Sequence, residues 1–288
     1  MSTIIGLVVV LGSVLGGFAM AHGPFAVLVQ PNELVVIGGA AFGSLIISAP
    51  GKSMSRVKHS FAMGFKINVP NKNDYLDLLK ALYQIFSVMR RDGVLALESH
   101  LAQPEQSSIL SKYPSLTSRH HALVFLVDAL KQLVDGCTPE ELAMLLDVDY
   151  ETLHEEELQP IGLIRTTGDA LPGLGIVAAV LGIIITMGAL DAGPEVIGHH
   201  VGAALVGTFM GILMCYGIIA PISQSIELQV GANGKYIKCI MDGVLAAARG
   251  AAPAIAVEFS RRCIYNDERP SFAELDAALQ AHKGGGSA

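Results

Sequence analysis

The sequence predicts an all-α integral membrane protein with four transmembrane helices and a helical cytoplasmic domain between the second and third spans. Three observations carry this reading. All 19 Lys and Arg residues lie between Lys52 and Arg165 or between Lys235 and Lys283. The segments 1–51 and 166–234 hold none, and each contains two long apolar runs. The composition is 51% hydrophobic and 16% charged with a mean hydropathy of +0.50, whereas soluble domains carry about a quarter charged residues. Cytoplasmic loops concentrate Lys and Arg, so the basic blocks mark the cytoplasm and the basic-free stretches mark the membrane.

The expected organisation is a hairpin over 1–50, a cytoplasmic domain over 51–168, a second hairpin over 169–222 and a cytoplasmic tail over 223–288. A bilayer core of about 30 Å needs about 20 helical residues. Residues 1–32 contain no Asp, Glu, Lys or Arg, and Ile4 to Met20 is continuously apolar or small, giving a first span over about 2–21. Phe18-Ala19-Met20-Ala21 imitates a signal-peptidase site, but the positive n-region of a signal peptide is missing. The second span covers about 34–50, including the Gly-rich run Leu34 to Ala49. The third covers about 170–190, between Asp169 and Asp191, and the fourth about 199–221, with His199 and His200 at its aqueous entrance. The 22–33 and 191–198 loops lack Lys and Arg and are expected outside. The first helix is expected to run inward from an external N-terminus.

Small residues recur at helix-packing spacing: Gly39 with Gly43, Gly198 with Gly202, Gly207 with Gly211. Such pairs let backbones approach closely in lipid, either within one subunit or between subunits.

The cytoplasmic segments read as helices. Leu76, Leu79, Leu82, Tyr83 and Phe86 recur at three and four within Asp74 to Met89. A second piece, Val94 to Leu101, carries Glu98, and a third runs over Thr117 to Val134. Thr138-Pro139-Glu140-Glu141 has a cap, a first-position proline and a Glu three beyond the cap. That helix is expected to end in the acidic stretch Asp147 to Glu157. Ser271-Phe272-Ala273-Glu274 starts a short terminal helix, and Gly284 to Ala288 reads as a frayed end.

Several functions are excluded. A net charge of −7 argues against a nucleic-acid partner. No phosphate loop, nucleophile elbow or HExxH motif is present, so no catalytic residue, metal or cofactor is assigned and the chain is not read as an enzyme. His120-His121 and His199-His200 are adjacent, and adjacent helical residues point about 100° apart, which chelates poorly. Cys137, Cys215, Cys239 and Cys263 are isolated and read as reduced thiols. Glu33, Asp169, Asp191, Glu195 and Glu227 all fall at or near span ends. A proton relay normally needs an ionisable group within the membrane, so the carrier carboxylate is expected from another chain.

The run Ala204-Leu205-Val206-Gly207-Thr208-Phe209-Met210-Gly211-Ile212-Leu213, then seven residues to Pro221, resembles the signature of the MotA flagellar stator family. Leu171 to Val180 is similar to that family's third span. The tail from Ala256-Val257-Glu258-Phe259 to Glu268-Arg269-Pro270-Ser271-Phe272 is similar to its C-terminal segment.

The resemblance implies a flagellar motor stator: a pentamer of this subunit around a dimer of MotB. MotB supplies the ion-carrying Asp and the peptidoglycan anchor, and ion flow turns the ring against FliG of the rotor. Arg90 and Glu98, in the pattern Arg90-x-x-Gly93-x-x-x-Leu97-Glu98, match the family's rotor-contacting charges. Pro172 and Pro221 match its two coupling prolines; Pro172 also reads as a plain first-turn proline. Thr208 matches a Thr beside the ion path, where its hydroxyl either meets an ion or bonds the backbone four residues back. Ala179 stands where sodium-driven relatives carry a Thr, which points to the proton as coupling ion, and Thr186 adds a hydroxyl further along. The alternatives are an ExbB/TolQ-like energising subunit, which has three spans, and a non-conducting membrane scaffold.

Overall fold

Local sequence sets where each helix begins. The computed structural model describes residues 2–49, 51–188, 191 and 193–284, and no strand occurs among them. At Thr138 the backbone N–H and the hydroxyl both donate to the Glu141 carboxylate, and Thr138 Oγ1 accepts the Glu141 N–H in return. This reciprocal cap opens α9, Pro139–Met187. The helix does not stop in the acidic stretch as expected but runs on for 49 residues. Glu and Leu are good helix formers, and no glycine breaks the run before Gly162. Pro160 and Pro172 lie inside it. Pro172 is therefore an interior proline, and the first-turn reading does not hold. Each proline removes one backbone donor from the ladder.

The earlier helices are α1 (Ser2–Met20), α2 (Phe25–Leu28), α3 (Pro31–Ser48), α4 (Ser53–Met63), α5 (Lys72–Asp92), α6 (Glu98–Ala102), α7 (Pro114–Thr117) and α8 (His120–Val134). After α9 come α10 (Pro194–Ile212), a π-helical segment Leu213–Ile219, α11 (Ala220–Ala248), α12 (Pro253–Cys263) and α13 (Phe272–Gly284). Among the described residues, four helical stretches are long and apolar enough to cross a membrane: Thr3–Met20, Phe25–Ser48, Pro139–Met187 and Pro194–Ala248. At 1.5 Å per residue α9 is about 74 Å long, more than twice a bilayer core. The expected frayed end at 285–288 lies outside the described residues.

The chain divides into two units, Met1–Asn68 with Glu156–Gln229 and Val69–Glu155 with Val230–Ala288. In the first, Ile37, Ala41, Leu171, Ala178 and Cys215 form a small apolar core. Gln229, 3% exposed, accepts the Asn68 N–H at 3.1 Å and donates to the Met63 carbonyl at 3.3 Å, tying the end of α4 to α11. In the second, α5 buries Tyr75, Leu78, Leu79, Leu82, Ile85 and Phe86 along one face. Asn71 caps it, accepting the Asn73 and Asp74 N–H groups while Asp74 accepts the Asn71 N–H. Gly93 ends it at φ 88°, a left-handed conformation that suits glycine. Arg119 bonds Asp74 at 3.1 Å and lies over the Tyr236 ring, fastening the start of α8. The Ser271–Glu274 cap forms as expected, and Lys72 also holds Glu274. Together these lower the Glu274 carboxyl to about 2, the Lys72 bond contributing most.

The first unit corrects one expectation. Thr3, Gly6, Leu7 and Val10 of α1 share a cavity of about 290 Å³ with Gly217, Pro221, Ile222 and Ser225. At the other end of α1, Phe18 meets Phe25 edge-on at 5.5 Å. Gly64, just after α4, packs against Ile222 and Ile226. The N-terminus thus lies at the same end of this unit as α4 and Pro221, not at the end of the 22–33 loop. The reason is parity: four crossings return a chain to the side on which it started. A cysteine at Thr3 is expected to react with an impermeant maleimide from the same side as one at Lys58, and Val29→Cys from the opposite side. Labelling of Thr3→Cys and Lys58→Cys from opposite sides contradicts this arrangement.

Candidate functional site

Glycine allows the two longest apolar helices to touch backbone to backbone. A Cβ on Gly182 would lie 2.8 Å from the Ala204 side chain; one on Gly175, 2.7 Å from the Gly207 carbonyl; and one on Gly211, 2.5 Å from the Leu171 carbonyl. Contacts fall along α9 as they rise along α10, so the helices are antiparallel. Lipid offers no hydrophobic drive for helix association, so this close van der Waals fit holds the pair. The expectations about small residues separate here. Gly207 and Gly211 serve packing within the subunit, whereas Gly39, Gly43 and Gly198 have open space where a Cβ would go.

Thr208 sits half-buried at the seam, its Cα 3.2 Å from where a Gly175 Cβ would stand. Ala178 is 1% exposed against Gly207, and Ala179 beside it is half-buried. Thr186, also buried, donates its hydroxyl to the Gly182 carbonyl at 2.8 Å, four residues back.

The residue whose burial sequence reasoning did not foresee is Glu33. It lies near a span end as expected, since α3 begins at Pro31 and Glu33 is in its first turn, but it is only 8% exposed. Glu33, Ile37 and Ala41 form the buried stripe of α3. Glu33 Oε2 has no hydrogen-bond partner. A Cβ on Gly207 would lie 2.5 Å from that oxygen and 3.2 Å from Ala178 Cβ. The carboxylate therefore rests over bare Gly207 backbone, one residue before Thr208. The spacing of four from Glu33 to Ile37 to Ala41 was the available signal. A buried polar atom without a partner is uncommon, and an ionisable group inside a membrane span is a functional-site candidate. Chemically, the site offers one acid–base group in apolar surroundings, one residue along α10 from Thr208.

The segments that carry the two expected coupling prolines touch through Gly168 and Ile219. Gly168, one turn before Pro172, packs directly on Ile219, the last residue of the π-helical segment and two before Pro221. π-Helical turns occur mostly at functional positions. Ser223, fully buried just beyond, has an unpartnered hydroxyl.

Arg90 and Glu98 belong to the second unit. Both are exposed, with the Gly93 turn and a short 3₁₀ turn, Val94–Leu97, between them. Arg90 Nη1 donates to the Gly250 carbonyl at 2.9 Å, so this cation also satisfies an acceptor beyond the end of α11. Among the described residues no group of three His, Cys, Asp or Glu side chains is placed to hold a metal.

Four apolar helices with glycine-packed spans define a multi-pass helical membrane protein. Residues 4–93 match the motility protein A N-terminal family, and residues 118–233 match the MotA/TolQ/ExbB proton channel family. Motility protein A of Escherichia coli K12 is 36% identical over 284 residues, covering 98% of this chain and 96% of that protein. Chemotaxis protein LafT of Vibrio parahaemolyticus is 35% identical over 285 residues, covering 99% and 100%. The fold matches a chain in the structure of C. jejuni MotAB with a TM-score of 0.78 at 24% identity, over 94% of this chain and 98% of that one. The chain belongs to the motility protein A family.

The seam makes a graded expectation for glycine substitution. Gly175→Ala and Gly211→Ala place a methyl against a carbonyl that belongs to backbone, and are expected to destabilise by about 1–3 kcal/mol, the usual range for overpacking. Gly202→Ala meets only Val27 at 3.6 Å, an ordinary contact, and should be tolerated. Thermal unfolding of the purified protein in detergent reads all three; equal effects would mean the seam does not pack as described.

Proposed function

We propose that this subunit, assembled with a MotB partner in the bacterial inner membrane, couples proton flow to torque on the rotor protein FliG. In this reading five copies surround a MotB dimer, and the 51–168 segment and both termini face the cytoplasm. The observation that carries the reading is the unpartnered Glu33 carboxylate over Gly207, beside Thr208 and Ala178 in the α9–α10 seam. One buried acid in each subunit gives a proton a place to pause near the Asp that MotB contributes. The solved relatives, titled as MotAB complexes, support MotB as the partner.

The proton is favoured over sodium because Ala179 brings no oxygen where sodium-driven relatives place a Thr. Binding Na⁺ requires several fixed oxygen ligands, whereas one acid and one hydroxyl suffice to relay a proton. Pro172 and Pro221, with the π-helical segment, are the coupling elements that transmit a shift of the spans. Arg90 and Glu98 meet rotor charges; exposed pairs contribute only about 0–1 kcal/mol each, so several act together and weaken with salt. The family match also includes TolQ and ExbB, but two spans before the large loop favour the stator over those three-span proteins.

Proton flux into vesicles tests the proposal. With MotB co-reconstituted, a pH-sensitive dye trapped inside should respond, and replacing sodium by choline should change nothing. The chain alone should not conduct. Flux without MotB, or flux that requires sodium, contradicts it.

A further inference from the structure

The second unit carries two surfaces of complementary shape and opposite net charge. Between the end of α8 and the start of α9 is an open groove of about 580 Å³. Its floor is Cys137, Met144, Leu145 and Val148, and Asp135 and Glu141 stand on its rim. Met144 and Val148 are each 64% exposed, and a contiguous apolar patch rimmed by charge marks an interaction site. The charge is one-sided: residues 128–151 hold seven acids (Asp128, Asp135, Glu140, Glu141, Asp147, Asp149 and Glu151) against Lys131 alone. Lys131 is already engaged with Asp128 at 3.4 Å. The Asp149 carboxyl is pushed up by burial and by the neighbouring Asp128, a local field that favours an incoming cation.

The matching surface is the outer face of α12. Its inner face, with Ala256, Val257 and Ser260, is buried. Its outer face shows Ile255 and Phe259, 54% and 56% exposed, followed by Arg262 at the same helical register. Residues 249–262 carry Arg249, Arg261 and Arg262 against Glu258; Arg261 is buried and pairs with Glu258, and Arg262, which also meets Glu258, stays exposed, leaving the face net positive.

We infer that a second copy of this chain docks the Ile255–Phe259–Arg262 face of its α12 into the acidic groove between α8 and α9. Apolar floor meets apolar ridge, and arginine meets the acidic rim. The two surfaces are different, so the contact is heterologous: each copy offers a groove to one neighbour and a ridge to the other. Such contacts run head to tail and close into rings. The inference rests on the proposed ring of subunits and adds where neighbouring copies grip each other outside the spans.

Cys137 supplies a native reporter. The full chain is co-expressed with MotB in a Cys263→Ser background; Cys215 and Cys239 are buried and do not react. Ile255→Cys or Phe259→Cys, treated with a short bifunctional maleimide, is expected to give a ladder of dimers and higher species. The ladder should vanish with Cys137→Ser and be absent for a control cysteine at Ser118. Asp147→Lys or Arg262→Glu should each lower the yield by up to about fivefold, the size expected of one exposed ion pair, and the double reversal should restore it. The native mass of the same samples separates the failures. An intact oligomer without a ladder overturns this contact and leaves the ring standing. A monomeric mass overturns both, and adducts to a different protein overturn the second copy as occupant.

Discussion

The close approach of α9 and α10 is the constraint on which the membrane half depends. Its strength lies in the absence of side chains. Gly175, Gly182, Gly207 and Gly211 remove the four Cβ atoms that would hold the helices apart. Once the backbones touch, Gly207 leaves a shallow floor, and α3 lays its buried stripe across it. Glu33 is the only ionisable group of that stripe. An unpaired buried carboxylate costs several kcal/mol if ionised. A site that keeps one is unstable with respect to its own charge unless an ion or proton attends it. That instability, more than any contact, is what makes the seam suitable for ion movement.

The same seam sets where motion can be passed on. α9 and α10 are bound tightly along Leu171 to Gly182, and the ladder is weakened below. There Pro172 removes the hydrogen bond to the Gly168 carbonyl, and Gly168 packs on Ile219 at the end of the π-helical segment before Pro221. The cavity beside α1 leaves room on the far side of Pro221, and Gln229 and the Arg165–Glu227 pair tie the helices again beyond it. A rigid stretch, a weakened stretch and a second rigid stretch follow one another along both helices. Charge change at one end then has a defined place to become displacement.

Much of this was legible in the sequence. The partition of Lys and Arg located the spans, because the cost of burying cations acts on every residue alike. Thr138 with Glu141 and Ser271 with Glu274 announced their helices, because a capping box is complete within four residues. What was lost depended on distant partners or on continuity. The burial of Glu33 at its span end was not legible because it needs Gly207 on another helix. The 139–187 helix looked shorter because charge runs and prolines resemble terminators locally, while tertiary packing carried the helix through them. Asn71 as the α5 cap was missed because Asp74, its reciprocal partner, read as the helix start. The N-terminal side was misassigned although counting crossings settles it.

The direct measurement of the account is proton flux through the MotB complex when Glu33 alone is changed. Glu33→Gln keeps the shape and removes the ionisable group, and Glu33→Asp keeps the charge on a shorter arm. With assembly verified by mass, Gln should cut the flux by at least about tenfold, equal to about 1.4 kcal/mol on the barrier, and Asp should retain part of it. Wild-type flux in Glu33→Gln would show that the buried carboxylate is no part of the ion path.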